Sequence, residues 1–178
     1  MHNEIIEFWF IEIDKVQRFK KDERFDELIR SRFSEIHTQA SKCELFSWRS
    51  TALGCLAEVI VLDQFSRNMY RGKAESFVHD SLALSLAQSA ISKGLDLELT
   101  SEQKSFLYMP FMHSESLIIH GQAMTLFTNL GIESNLNFEI KHKSIIERFG
   151  RYPHRNKILG RASSSEENSF LLQPGSGF

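Results

Sequence analysis

The chain has 178 residues, which is enough for one well-buried core and short for two. Its formal net charge of -2 and its pI near 6.4 argue against a general nucleic-acid binder, because such proteins carry a basic face at the scale of a domain. No apolar run approaches the roughly 18 residues that span a bilayer, so we expect neither a membrane nor a nucleic acid as partner.

The N-terminal sequence MHNEIIEFWFIEID has acids where a secretory signal would have a basic region and a cleavage site. Cys43 and Cys55 form no CxxC pair, which is typical of reduced structural thiols and not of a disulfide framework or a zinc site. These features predict a cytoplasmic protein and leave its cofactor unknown.

The hydrophobic pattern repeats with a period of 3.6 and shows no strict alternation, which predicts an all-helical domain over residues 1–172 and a loose tail over 173–178. Thr100 followed by Gln103 predicts a capping box, and Pro110 should kink or restart the helix that this box opens. The other long helices are predicted over residues 22–41, 49–67, 75–92, 112–130 and 135–149. Ser163 or Ser164 should cap a short final helix.

The segment LDQFSRNMYRG, residues 62–72, contains the first candidate site. Asp63 interrupts an apolar run, and Arg67 follows it at i+4, the favourable order for an ion pair on a helix. A buried carboxylate needs such a partner. We favour a structural ion pair here, with the alternative that Asp63 orients Arg67, Asn68 and Arg71 towards an anion.

The segment FMHSESL, residues 111–117, contains the second candidate. His113 and Glu115 are two residues apart, so they share no helix face unless Pro110 makes the turn irregular. A histidine beside a carboxylate is suited to general acid–base catalysis, and equally to a helix cap or a core contact. No metal-binding spacing is present, and a metal held by His113, Glu115 and His142 is a weak alternative.

The most cationic stretch is RFGRYPHRNKILGR, residues 148–161, which contains no acid. Several arginines on one loop can bind a carboxylate or a phosphate through two-point contacts. They can equally neutralise acids such as Asp63, Asp80, Glu115 or Glu147. The candidate ligand-binding residues of this loop are Arg148, Arg151, Arg155, Asn156 and Arg161, with His154 as a candidate catalytic residue.

These segments, in this order, resemble the uncharacterised bacterial family known as domain of unknown function 924. The resemblance rests on FWF, LDQFSRNMYRG, the FVHD and GLD segments, FLYMPFMHSESL, the arginine stretch and the SSSEE ending, and it covers nearly the whole chain. It implies a tetratricopeptide-like stack of antiparallel helical hairpins and no established activity. Two positions depart from the pattern: Ser66 stands where the family has proline, and Lys104 where it has arginine.

Three functions stay open from the sequence. The first, which we expect, is a module that binds a small anion or an acidic peptide through the arginine loop. The second is an enzyme acting on an anionic metabolite, with His113 or His154 as the acid or base and Glu115 or Asp63 orienting it. In the third, the polar motifs form a buried structural network and a protein-binding surface lies elsewhere. The oligomeric state is not predicted.

Overall fold

The computed structural model describes residues 1–177, and these residues form helices and turns without a β-strand. The all-helical prediction is confirmed, and the arrangement fits the tetratricopeptide-like expectation. The α-helices of the described chain are α1 His2–Glu7, α2 Glu23–Ser41, α3 Ala52–Ile60, α4 Ser66–Met69, α5 Asp80–Ser92, α6 Ser101–Met112, α7 Leu117–Leu130, α8 Glu133–Phe149 and α9 Ser165–Leu171.

Side-chain caps precede several of these helices, including the two that the sequence predicts at Thr100 and at Ser163 or Ser164. Asp22 accepts hydrogen bonds from the first-turn amides of α2. Thr100 and Gln103 exchange side-chain-to-backbone bonds before α6, as a capping box does. Ser164 and Glu167 form a second capping box at α9, so the cap is Ser164 and not Ser163.

Two π-helical turns interrupt the regular helices, and both lie in motifs of the family pattern. Phe8–Glu12 continues α1, and Val61–Phe65 joins α3 to α4. The rings of Phe8 and Trp9 contact the ring of Phe65 edge-on, with centroids 6.0 and 5.6 Å apart. π-helical turns are rare and often occur at functional sites, and the second of these turns contains Asp63 of the first candidate site.

Boundaries differ from the prediction mainly in the middle of the chain. Helix α5 begins at Asp80, after the 3-10 turn Ala74–Ser76, and not at residue 75. Helix α6 continues through Pro110 to Met112, and a turn then precedes α7 at Leu117, five residues after the predicted start. Proline removes one backbone donor but does not force a helix to end at once.

Contacts group the described residues into two compact units, so the single domain predicted over residues 1–172 stays a prediction. The first unit holds Met1–Arg71 and Glu75–Pro110, and the second holds Gly72–Ala74 and the chain from Phe111 onward. In the first unit, α1 and α5 pack on α3, and α2 packs on α4. The core of this unit is rich in aromatic rings, among them Phe8, Trp9 and Phe33.

In the second unit, α7 and α8 pack as an antiparallel hairpin, and α9 packs on the 3-10 turn Pro153–Arg155. Its core contains Ile145, Ile146 and the fully buried ring of Tyr152, with Phe149 and Phe170 packed against it. No helix among residues 1–177 is both long and apolar enough to cross a membrane.

The structure predicts opposite effects of alanine at two helical glycines. A Cβ atom on Gly54 in α3 would lie 2.0 Å from the carbonyl oxygen of Trp48, whereas a Cβ on Gly121 in α7 would meet no atom within 4 Å. Gly54→Ala should therefore lower the free energy of unfolding by about 3 kcal/mol or more. Gly121→Ala should raise it by up to about 1 kcal/mol, because alanine favours the helix. Urea unfolding measures both, and equal effects would contradict the packing at Gly54.

Candidate functional site

The predicted motif around Asp63 is a network of ion pairs in the first unit. Asp63 is fully buried, and the guanidinium of Arg67 lies 3.1 Å from its Oδ1 atom. The amide of Gln64 donates to Oδ2 at 2.6 Å. Arg67 also donates to both carboxylate oxygens of Asp80, at 3.0 and 3.1 Å. Arg67 therefore joins the π-helical turn to the first turn of α5, as a structural ion pair would.

The other two residues of this motif meet an acid that the sequence analysis missed. Asp26, in the first turn of α2, accepts a hydrogen bond from Asn68 at 2.8 Å. It also accepts two from Arg71, at 2.5 and 2.7 Å. Asp26 is buried beside the apolar stripe of α2. A buried acid in that position was a signal for a cationic partner, but the sequence does not say which arginine reaches it.

In the second unit, the arginine loop is anchored by Glu115. Arg161 donates to the two carboxylate oxygens of Glu115 at 2.6 and 2.9 Å. The backbone amide of Tyr152 donates to the same carboxylate at 2.7 Å. Arg161 Nε also donates to Asn156, whose own amide donates to Ser163. Burial alone would raise the pKa of Glu115, but the bonds from Arg161 and Tyr152 outweigh it, so the pKa is lowered.

Two further loop arginines pair with acids of α9. Arg151 forms a two-point contact with Glu167, at 2.7 and 2.8 Å, and donates to the carbonyl of Ala162. The hydrogen bond from Arg151 is the main reason that the pKa of Glu167 falls to about 2. Arg148 pairs with Glu166 at 2.8 Å, and both of these side chains are largely exposed. Glu167 was missed as a partner, although its capping-box position marked it as fixed in space.

Arg155 and His154 lie against the ring of Tyr152. The guanidinium of Arg155 is 4.7 Å from the ring centroid and donates to the carbonyl of His113 at 3.0 Å. The His154 ring is 5.5 Å from the same centroid. Arg155 is only 6% exposed. A guanidinium buried on an aromatic face contributes to packing as well as to charge balance.

A buried histidine–carboxylate pair exists in the second unit, but it uses residues outside the predicted set. His120 and Glu139 are both fully buried, and His120 Nδ1 lies 2.7 Å from Glu139 Oε1. Sequence reasoning missed this pair because its members are 19 residues apart on two helices. The predicted acid of the candidate pair, Glu115, has both oxygens bound by Arg161 instead.

The neighbours of His120 determine which of its nitrogens carries a proton. His120 Nε2 lies 2.9 Å from the carbonyl of Ser114 and 3.1 Å from the hydroxyl of Tyr152. That hydroxyl donates to the carbonyl of Met112, so both neighbours of Nε2 act as acceptors. Nε2 is therefore protonated, and one further proton is shared between Nδ1 and Glu139. Burial raises the pKa of Glu139, which favours the neutral carboxyl.

Two other histidines are held neutral by burial. The pKa of His142 falls to about 3 because of desolvation, with His113, His120 and His154 also opposing its charge. The pKa of His37, in the first unit, falls to about 4 through desolvation and the nearby His79. Among residues 1–177, no group of three or more His, Cys, Asp or Glu side chains could hold a metal ion.

The predicted site residues thus fall into two sets. Asp63, Arg67, Asn68 and Arg71 belong to the first unit, and the remaining candidates, His113, Glu115, Arg148, Arg151, His154, Arg155, Asn156 and Arg161, belong to the second. In the first unit, Arg67 binds Asp63 and Asp80, whereas Asn68 and Arg71 share Asp26. In the second unit, Arg161 binds Glu115 and Asn156, whereas Arg148 and Arg151 bind separate acids of α9. One continuous site made from both sets stays a prediction.

The state of the His120–Glu139 pair can be tested by two substitutions. Glu139→Gln supplies an amide donor to His120 Nδ1 and keeps the pair neutral, so it should cost only about 1 kcal/mol of unfolding free energy. Glu139→Ala leaves His120 without this partner and leaves a cavity, and it should cost about 2–4 kcal/mol. Chemical denaturation at pH 7 measures both. If Glu139→Gln costs as much as Glu139→Ala, the pair is instead a charged imidazolium–carboxylate pair.

The buried neutral histidines predict that acid destabilises the fold. A histidine whose pKa is lowered on folding binds fewer protons than in the unfolded chain, so stability falls as the pH drops below about 6.5. Between pH 7 and pH 5, His142 and His37 should each remove up to about 2 kcal/mol of unfolding free energy. In His142→Gln, the loss of unfolding free energy between pH 7 and pH 5 should be smaller by the contribution of His142. An unchanged pH dependence in that variant would contradict a neutral, buried His142.

The known proteins to which this chain is similar are of unknown function. No curated protein matches the chain. A protein of unknown function from Agrobacterium tumefaciens, ATU0120, has a similar solved structure with a TM-score of 0.92. It is 37% identical to this chain, and the match covers 96% of each of the two chains. The model of one protein family matches residues 5–175, and its description is a bacterial protein of unknown function. The chain therefore belongs to the bacterial family of unknown function DUF924.

Proposed function

We propose that this protein is a helical module that acts through contacts with other proteins, and that its arginine loop is a structural network. One observation carries the proposal: each of the arginines at 148, 151, 155 and 161 already donates to a carboxylate or to a backbone carbonyl. Apolar side chains that face solvent, such as Phe19, Phe46 and Ile118, are available for protein contacts.

Binding of a small anion or an acidic peptide by the loop has less support. A ligand that uses Arg161 or Arg151 would have to take it from Glu115 or from Glu167. The Glu167 side chain is only 4% exposed, so it would be left charged and poorly solvated. A half-buried carboxylate that loses its arginine is left partly desolvated, and a ligand would have to offset that cost.

Enzymatic use of a histidine–carboxylate pair also has less support. Arg161 and the Tyr152 amide occupy Glu115, the predicted orienting acid. The pair with acid–base chemistry, His120 and Glu139, is fully buried, so a substrate would reach it only through local opening.

We also propose that the protein is cytoplasmic, as expected from the sequence.

The test compares two arginines of the same loop in one ligand screen. Wild-type protein, Arg155→Ala and Arg148→Ala are screened by thermal shift against carboxylates, phosphates, nucleotides and divalent metal ions. Arg155→Ala should lower the free energy of unfolding by about 2–4 kcal/mol, because it removes a buried hydrogen bond and the packing on Tyr152. Arg148→Ala breaks an exposed pair and should cost less than about 1 kcal/mol.

The screen separates the structural role from a binding site. A ligand present at about 100 times its dissociation constant would stabilise the folded wild type by roughly 2.7 kcal/mol. If the arginine loop is a structural network, no compound in the screen should stabilise the wild type in this way. A compound that stabilises the wild type, but not a folded Arg155→Ala variant, would show that the loop is an anion site and would contradict the proposal.

A further inference from the structure

In the segment between α1 and α2, one charged side chain is buried and two apolar side chains are exposed. Arg18 is buried, with its side chain 2% exposed, whereas Val16 and Phe19 are 72% and 67% exposed. Globular proteins usually arrange these residue types the other way round. The segment lies entirely within the first unit.

The buried cation and the exposed ring are neighbours in the 3-10 turn Gln17–Phe19, in which Arg18 faces inwards and Phe19 faces solvent. Lys15 and Arg18 face α6, and both donate to Glu102, at 2.9 and 2.7 Å. Val16 and Phe19 are likewise three residues apart and face solvent. The two bonds to Glu102 therefore fix the direction in which the apolar pair projects.

This arrangement costs free energy in the isolated chain. The guanidinium of Arg18 lies over the rings of Phe10 and Phe106, at 5.1 and 5.6 Å. Its Nε and Nη2 atoms are buried, and neither has a hydrogen-bond partner among the described residues. The exposed Phe19 stacks on Phe106 through one face only. A segment that buries a cation and exposes two neighbouring apolar side chains is suited to contact with a partner.

The charges beside the apolar pair indicate what covers it. The sequence continues as Lys20, Lys21, Asp22 and Glu23, with two cations followed by two acids. A partner of one charge sign, such as an anionic lipid surface or an acidic peptide, would meet like charges from Asp22 and Glu23. A two-fold interface places the same patch of two copies face to face, so a patch with both signs is complementary to itself.

We propose that Val16 and Phe19, flanked by Lys20–Glu23, form the surface through which two copies of this chain associate. Across the two-fold axis, the lysines of one copy lie against the acids of the other, and the apolar pairs meet at the centre. The patch is smaller than the roughly 800 Å² per partner of a stable interface, so the dimer forms weakly and reversibly. This surface rests on the proposed role in protein contacts, for which it supplies a second copy as the partner, and it is independent of the arginine loop.

Sedimentation equilibrium of the whole chain between about 5 and 500 μM tests the surface directly. The wild type should show a concentration-dependent dimer. Val16→Asp and Phe19→Ser should each weaken the association at least tenfold, since each removes a central apolar contact. Leu97→Ser is the matched control, because Leu97 is 76% exposed and lies outside the patch. Far-UV circular dichroism checks that each variant is folded, and Val16→Asp covers the case in which Phe19→Ser is not.

A charge exchange identifies the partner as a second copy. Lys21→Glu and Glu23→Lys should each weaken self-association, because each places like charges across the axis. A mixture of the two variants should recover it, because opposite charges then face each other. A wild type that stays monomeric at 500 μM, or a mixture that fails to recover association, would overturn the proposal. Binding to phosphatidylserine vesicles that Phe19→Ser abolishes, without self-association, would assign the patch to a lipid surface and overturn it as well.

Discussion

The arginine loop depends on the hydrogen bonds that the carboxylate of Glu115 accepts. It accepts two hydrogen bonds from Arg161 and one from the backbone amide of Tyr152, so it joins the two ends of the loop. Arg161 then extends the network to Asn156 and Ser163. Because Tyr152 is fixed in this way, its buried ring can support Arg155 and His154, and its hydroxyl can bond Met112 and approach His120. The backbone polar groups and the charged side chains of a long loop need partners. The half-buried carboxylate of Glu115 is the partner of one backbone amide and of one arginine.

In the first unit, contacts between arginines and carboxylates also join separate helices and turns, but they use different residues. Arg67 joins a π-helical turn to the start of α5 through two aspartates, and Arg71 joins the same region to the start of α2 through Asp26. In both units, arginines bind acids that sit at or near helix starts, where a negative charge is already favoured. The charged motifs therefore connect helices and loops, and the arginines that look most like an anion site in the sequence contact carboxylates or carbonyls of the same chain.

Local features of the fold were predictable, and long-range pairings only in part. The cap of Asp22 and the capping box of Thr100 depend on residues within three positions, so the sequence indicates them. Two expected pairings are present, Asp63 with Arg67 and Glu115 with an arginine of the loop. Asp80 and Glu147 were offered as acids for the same loop, but they pair with Arg67 and Lys143 instead. The choice of Asp26 for Arg71 depends on how helices pack, and no local pattern encodes it. The His120–Glu139 pair and the π-helical turns left no periodic signal, because one is a contact between helices and the others add a single residue to a turn.

The measurement that tests the structural role most directly is a double-mutant cycle on Glu115 and Arg161, made by alanine substitution and urea unfolding. The Arg148–Glu166 pair is the reference, since its side chains are 47% and 63% exposed whereas those of Arg161 and Glu115 are each 25% exposed. A coupling energy of at least about 1.5 kcal/mol for Glu115–Arg161, against less than about 0.5 kcal/mol for the exposed pair, is the predicted result. Equal, small coupling energies for both pairs would contradict the claim that Glu115 anchors the loop.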